Sequence, residues 1–113
     1  MVAAVGSTAF TIFALPKDYT AKPRNVLGGH LFGCVIGIAF SFIDSAFFGG
    51  SLAVGMTMLL MIVTNTEHPP AAGTALGLAL SPSLDSVIFV MGSAIVLSLA
   101  KKFLDPWMKN LGG

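Results

Sequence analysis

Thr64-Asn65-Thr66-Glu67-His68-Pro69-Pro70-Ala71-Ala72-Gly73-Thr74-Ala75 decides how this chain is read. It sets an acid, a histidine and two prolines between two apolar runs, 51–63 and 75–80. His68 precedes a proline and is biased away from helical angles. Pro69 lacks an N–H and clashes with a helical turn before it. Pro70 suits the first position of a new helix. The stretch therefore reads as a helix broken in two, with a short second half.

The backbone N–H groups of Ala71, Ala72, Gly73 and Thr74 open that half-helix without helical partners. No Ser, Thr, Asp or Asn stands at the cap position. Free N–H groups at the positive end of a helix form an anion site. Gly73 leaves room for close approach, and Thr74 adds a hydroxyl. The His68 ring and the Asn65 amide are further donors. The competing reading is that waters, carbonyls or hydroxyls of neighbouring helices satisfy the kink and nothing is transported. Glu67 sits awkwardly beside an anion. It is expected to pair with Arg24 or Lys22 at the mouth of the site, or to carry a co-transported proton. His30, the other histidine, reads either as a hydrogen bond to a neighbouring helix or as a polar wall or proton relay.

The solvent for such a helix follows from composition. The 113 residues are 55% hydrophobic and 10% charged, and mean hydropathy is +0.88. Soluble domains carry roughly 25% charged residues, so lipid is the expected surroundings. A net charge of +1 argues against nucleic-acid binding. One cysteine, Cys34, excludes an intrachain disulfide and a Cys-rich metal cage; no cofactor or metal is expected. No basic residue precedes the apolar start at 1–15, so a cleavable leader is not indicated. An enzyme is not expected, since no His-Glu-x-x-His motif and no Ser/His/Asp set is found.

Charges divide the chain into one all-α domain, 1–113, a polytopic transmembrane bundle with a half-helix at the break. Helices are expected at about 1–15, 25–43, 50–66, 70–80 and 85–103, the middle-length ones near the roughly 20 residues that span a bilayer. Phe47-Phe48-Gly49-Gly50 and Ser81-Pro82-Ser83 read as turns, with Ser83 or Asp85 capping the last helix. Trp107 and its neighbouring lysines read as interfacial. Gly29, Gly33, Gly37 and Ser41 recur four apart and stack into a groove for a second helix, within the chain or between subunits. So few short helices enclose little volume, which predicts a homo-oligomer packed partly through that face.

The basic residues lie in two clusters, Lys17, Lys22, Arg24 and Lys101, Lys102, Lys109. Both belong in the cytoplasm by the positive-inside rule. The half-helix must then travel outward, and its length of about 17 Å puts the break inside the membrane. Finally, Ser7-Thr8-Ala9 to Pro16 can be laid over Gly73-Thr74-Ala75 to Pro82, with Thr-Ala and Pro in register. Such a match would mark paired half-helices of a duplicated transport unit.

Lys22-Pro23-Arg24-Asn25-Val26-Leu27-Gly28-Gly29-His30, followed by the stretch quoted first, resembles the HPP family of integral membrane proteins, and Gly6-Ser7-Thr8-Ala9 resembles a small-residue motif near the start of that family's core. The resemblance covers most of the chain. It implies a bundle of membrane helices and transport of a small anion, nitrite foremost. It implies importance for Pro23, Arg24, Asn25, Gly28, Gly29, His30, His68, Pro69 and Pro70. By the same resemblance the chain is expected to lack the first family helix. The expected compartment is a bacterial inner (plasma) membrane, with the 17–24 connector and the C-terminus cytoplasmic.

Overall fold

Each helix in the computed structural model, which describes residues 1–112, begins and ends for a local reason. The order is α1 (Val2–Ala14), a 3₁₀ turn (Tyr19–Ala21), α2 (Pro23–Phe40), α3 (Ala46–Thr64), α4 (Pro70–Leu80), α5 (Leu84–Leu104) and a second 3₁₀ turn (Asp105–Trp107). No strand occurs among the described residues. Pro23 and Pro70 occupy the opening positions of α2 and α4, where a missing N–H costs nothing. Ser45 accepts a bond from the N–H of Phe48, and Ser83 one from Ser86, capping α3 and α5.

α3 and α5 are long and apolar enough to cross a membrane, with mean hydropathy 2.0 and 1.9 over an 18-residue window in each. Their apolar side chains stay outward: Val63, Phe103 and Trp107 are each more than 70% exposed. Water does not tolerate such a shell, whereas lipid does.

The glycine face of α2 is filled by α4 of the same chain. A Cβ on Gly29 would stand 2.9 Å from the His68 Cβ, one on Gly33 2.6 Å from the Ala71 carbonyl oxygen, and one on Gly37 2.8 Å from that of Ala75. The contacts advance together along both helices, so α2 and α4 run parallel with backbones touching. This corrects the expectation that the Gly29/Gly33/Gly37 face joins subunits, because α4 already occupies it.

Phe47-Phe48-Gly49-Gly50 is not a turn. It lies inside α3, and a Cβ on Gly49 would meet the Phe40 carbonyl oxygen at 3.1 Å. These glycines serve close packing rather than a reversal. The true turn is 41–45, ahead of the Ser45 cap.

The register fixes where along α2 the break falls. His68 lies level with Gly29, six residues into α2, which is about 9 Å along the axis at 1.5 Å per residue. α4 accompanies the remainder of α2. The first third of α2 faces non-helical chain instead, Thr66 against Gly28. The C-terminal ends of α1 and α5 share one face, where the Leu111 N–H donates to the Ala14 carbonyl at 2.6 Å and the Lys17 N–H to Asn110 Oδ1 at 2.8 Å.

Gly33→Ala should destabilise the protein by about 1–3 kcal/mol, since the Ala71 backbone cannot yield without moving α4. Gly55→Ala, at a position with nothing within 4 Å of a new Cβ, should be neutral or slightly stabilising. Thermal unfolding in a mild detergent compares the two.

Candidate functional site

Where a membrane helix is interrupted, its backbone needs partners from the protein. α3 ends at Asn65, whose φ of 56° is left-handed, and its N–H turns back to the Ile62 carbonyl. The Thr66 N–H reaches the Met61 carbonyl at 2.9 Å. The first turn of α2 then grips the break from both sides. Arg24 Nη2 donates to the Thr64 carbonyl at 3.0 Å, a cation at a helix C-terminus. Asn25 Nδ2 donates to the Glu67 carbonyl at 2.9 Å.

The start of α4 satisfies itself. The N–H of Ala71 donates to the His68 carbonyl at 2.9 Å and that of Ala72 to the Pro69 carbonyl at 3.0 Å. The cause is Pro69, which sits at φ −50°, ψ −38° and is already helical. The first turn tightens to 3₁₀ spacing and supplies its own acceptors. Ala71 and Ala72 are therefore not the free donors expected from the absence of a capping side chain. Gly73 faces outward, exposed, in a shallow groove with Ala3, Ser7 and Pro70. Asn65 is an exposed cap of α3 and not part of the buried cluster.

His68, His30 and Thr74 do converge. His68 is 0% exposed and His30 1%, and the rings meet edge to face with centroids 5.0 Å apart. One hydroxyl joins them: Thr8 Oγ1 lies 2.7 Å from His30 Nε2 and 3.0 Å from His68 Nε2. The outer nitrogens are also engaged. His68 Nδ1 donates to the Thr20 carbonyl at 2.8 Å, and His30 Nδ1 lies 2.9 Å from Thr74 Oγ1. Thr8 contacts its own helix too, 3.1 Å from the Ala4 carbonyl. The result is an unbroken buried chain from the connector to the middle of α4.

Thr8 escaped sequence reasoning as a site residue, although the signal was present. In the overlay of 7–16 on 73–82 it matches Thr74, and these two threonines hold opposite nitrogens of His30. α1 and α4 also run antiparallel, with Met1 against Gly77 and Ala4 against Gly73. That is the arrangement of an inverted pair.

Glu67 pairs with neither Arg24 nor Lys22. Tyr19 donates its hydroxyl to Glu67 Oε2 at 3.0 Å, and that bond raises the Tyr19 pKa above its ordinary value. Arg24 is drawn instead to the carbonyl end of α3. Asp18 Oδ1 accepts the Thr20 N–H at 2.9 Å and the Thr20 hydroxyl at 2.7 Å, and these bonds lower its pKa. So the 3₁₀ turn that presents the Thr20 carbonyl to His68 is itself braced by Asp18. Beside it lies a cavity of ≈ 300 Å³ lined by Thr20, Met61, Glu67, His68, Pro69 and Ala72, among others. Among the described residues, no three His, Cys, Asp or Glu side chains converge as metal ligands.

The chain belongs to the HPP family. The profile described as "HPP, transmembrane region" matches residues 1–104. Two transmembrane proteins of Dictyostelium discoideum are similar to it. One is 35% identical over 81 residues, covering 67% of this chain and 28% of the relative. The other is 31% identical over 81 residues, covering 67% of this chain and 26% of the relative. The chain thus spans little more than a quarter of the length of these relatives. No solved structure matches it.

Asn25→Ala should cost about 1–3 kcal/mol, the penalty for stripping a carbonyl of its buried donor, and should speed hydrogen exchange at 65–69 before it affects α5. The Asp18 brace has a definite pH sign. Its folded pKa is depressed, so its contribution is present at neutral pH and is lost as pH falls through that depressed value. The Thr20 amide resonance should report that loss in acid, and Asp18→Asn should abolish the transition.

Proposed function

We propose that this HPP-family membrane protein is a transporter or channel for a small inorganic anion, with nitrite foremost by family resemblance. The observation that carries the reading is the buried His68–Thr8–His30 cluster at the foot of a half-helix that begins inside the bilayer. Ionisable side chains at that depth are costly and are associated with ion pathways. The positive end of α4 points at the break, beside the cavity next to His68. Recognition is assigned to the His68 ring and the Thr20–Tyr19 turn rather than to the N–H groups of Ala71 and Ala72. Thr74 contributes through its bond to His30, whereas Gly73 faces a separate groove.

Charge supports the same direction. All six lysines and arginines lie on the connector face with three carboxylates, Asp18, Glu67 and Asp105, whereas the opposite face carries Asp44 and Asp85. Such a surplus steers anions toward the mouth. It also favours a cytoplasmic connector and C-terminus, in a bacterial inner (plasma) membrane. The working unit is proposed to be a homo-oligomer without a catalytic role. Its subunits meet through outer surfaces, of which the open apolar groove between α1 and α5, floored by Gly6 and Gly92, is the candidate.

A second reading has its own support. Every ring nitrogen of both histidines is already bonded within the chain, as in a structural membrane subunit that moves nothing.

Proteoliposome flux separates the two. Nitrite, nitrate or chloride flux above protein-free vesicles should fall sharply in His68→Ala and His68→Gln, while Gly55→Ala retains it. Flux that is absent in the wild type, together with a stoichiometric partner from native membrane, favours the structural subunit. Flux unaltered by the His68 substitutions contradicts the site.

A further inference from the structure

We propose that the chain Thr20–His68–Thr8–His30–Thr74 is a binding site for one proton, held on Nε2 of His68, and that the Thr8 hydroxyl is the switch that lets this proton enter together with the anion. The inference rests on the transport reading for its purpose, but its chemistry follows from counting protons.

Five contacts link the cluster: Thr20 carbonyl to His68, His68 to Thr8, Thr8 to His30, His30 to Thr74, and Thr8 to the Ala4 carbonyl. With both imidazoles neutral, the four side chains carry one polar hydrogen each. Four hydrogens cannot complete five contacts. The Thr20 carbonyl only accepts, so His68 carries its hydrogen on Nδ1. Its Nε2 then accepts from the Thr8 hydroxyl. His30 donates from Nε2 to Thr8 and accepts at Nδ1 from Thr74. The contact left unmade is Thr8 to Ala4, whose carbonyl is already engaged within α1.

One added proton completes the set. Nε2 of His68 takes it and donates to Thr8. The Thr8 hydroxyl rotates and donates to the Ala4 carbonyl, while its oxygen accepts from both rings. No heavy atom has to move. A proton placed on His30 does not achieve this: the Thr74 hydroxyl would lose its acceptor and the Ala4 contact would stay open. The balance is simple. A hydronium ion at the mouth gives up its proton, the Nε2 lone pair forms one N–H bond, and water remains.

The loaded ring is a buried cation, and one carboxylate, that of Glu67, lines the cavity beside it. α1 carries no charged residue, and α4 none; α3 presents Met61. On α2, Arg24 faces the Thr64 carbonyl. On the connector, Asp18 is held by Thr20 and Glu67 by Tyr19. On α5, Lys101 is paired with Asp105 at 3.2 Å. The positive end of α4 opposes the proton and favours the anion. Beside a neutral His68 ring the Glu67 carboxylate repels an anion from the cavity; the proton on the ring offsets that repulsion, so the anion enters together with the proton.

The test uses the full chain with ¹⁵N-labelled histidine in lipid vesicles, with nitrite as the probe. On acidification in nitrite, one ring per chain should gain a second N–H, and substitution of His30 by Gln should identify that ring as His68. Thr8→Val should abolish the gain and Thr8→Ser should restore it. Initial nitrite uptake above protein-free vesicles should rise about tenfold per unit of external acidification below saturation, the slope for one bound proton. Flux with both rings neutral at every pH overturns the proton site and leaves the transport reading standing. A loaded ring with no flux of nitrite, nitrate or chloride overturns the transport reading, and the coupling with it. Two protons per chain, or loading that survives Thr8→Val, overturns the switch. Because the wild type is itself informative, the test does not depend on Thr8→Val folding.

Discussion

At Gly33 a Cβ atom would stand 2.6 Å from the Ala71 carbonyl oxygen, and the rest of the structure depends on the absence of that atom. It allows α4 to lie against the backbone of α2. The close packing offsets the helix weakness of the glycines, about 1 kcal/mol each relative to alanine. It also sets the register that brings His68 level with Gly29 and Thr74 within reach of His30. A bulkier α2 would push α4 outward, and the two histidines would lose their common threonine.

With α4 held there, the break has to be supported by the protein itself. The support is local and mostly backbone: Arg24 and Asn25 on the carbonyls of Thr64 and Glu67, and the tightened first turn of α4 on the carbonyls of His68 and Pro69. The side chains of His68 and His30 are left for one another, through Thr8. The matching threonines of α1 and α4 flank His30 from opposite sides, so the two short helices act as an antiparallel pair around one ring.

Much of this was legible in the residues. The two prolines placed the break and the first residue of α4. The four-residue spacing of Gly29, Gly33 and Gly37 announced a helix groove, and the low charge content announced lipid. What was not legible depended on geometry that sequence does not carry. The expectation of free N–H groups at Ala71 and Ala72 failed because a helical Pro69 tightens the turn, a dihedral choice invisible in the residue names. Glu67 was expected to meet a cation, but the 3₁₀ turn brings Tyr19 there first. Gly49-Gly50 looked like a reversal because a glycine pair signals turns and close packing alike. Thr8 went unassigned because a lone threonine in an apolar helix is ordinary until its neighbours in space are known.

The central claim is that one hydroxyl bridges two buried histidines at the break. Solid-state NMR dipolar recoupling between Thr8 Cβ and the imidazole nitrogens, in lipid bilayers, measures it directly. The account predicts that Nε2 of both His30 and His68 dephases against Thr8, and that the His30 ring exchanges no polarisation with bulk water. Dephasing of only one ring, or of neither, or water contact at His30, would contradict it.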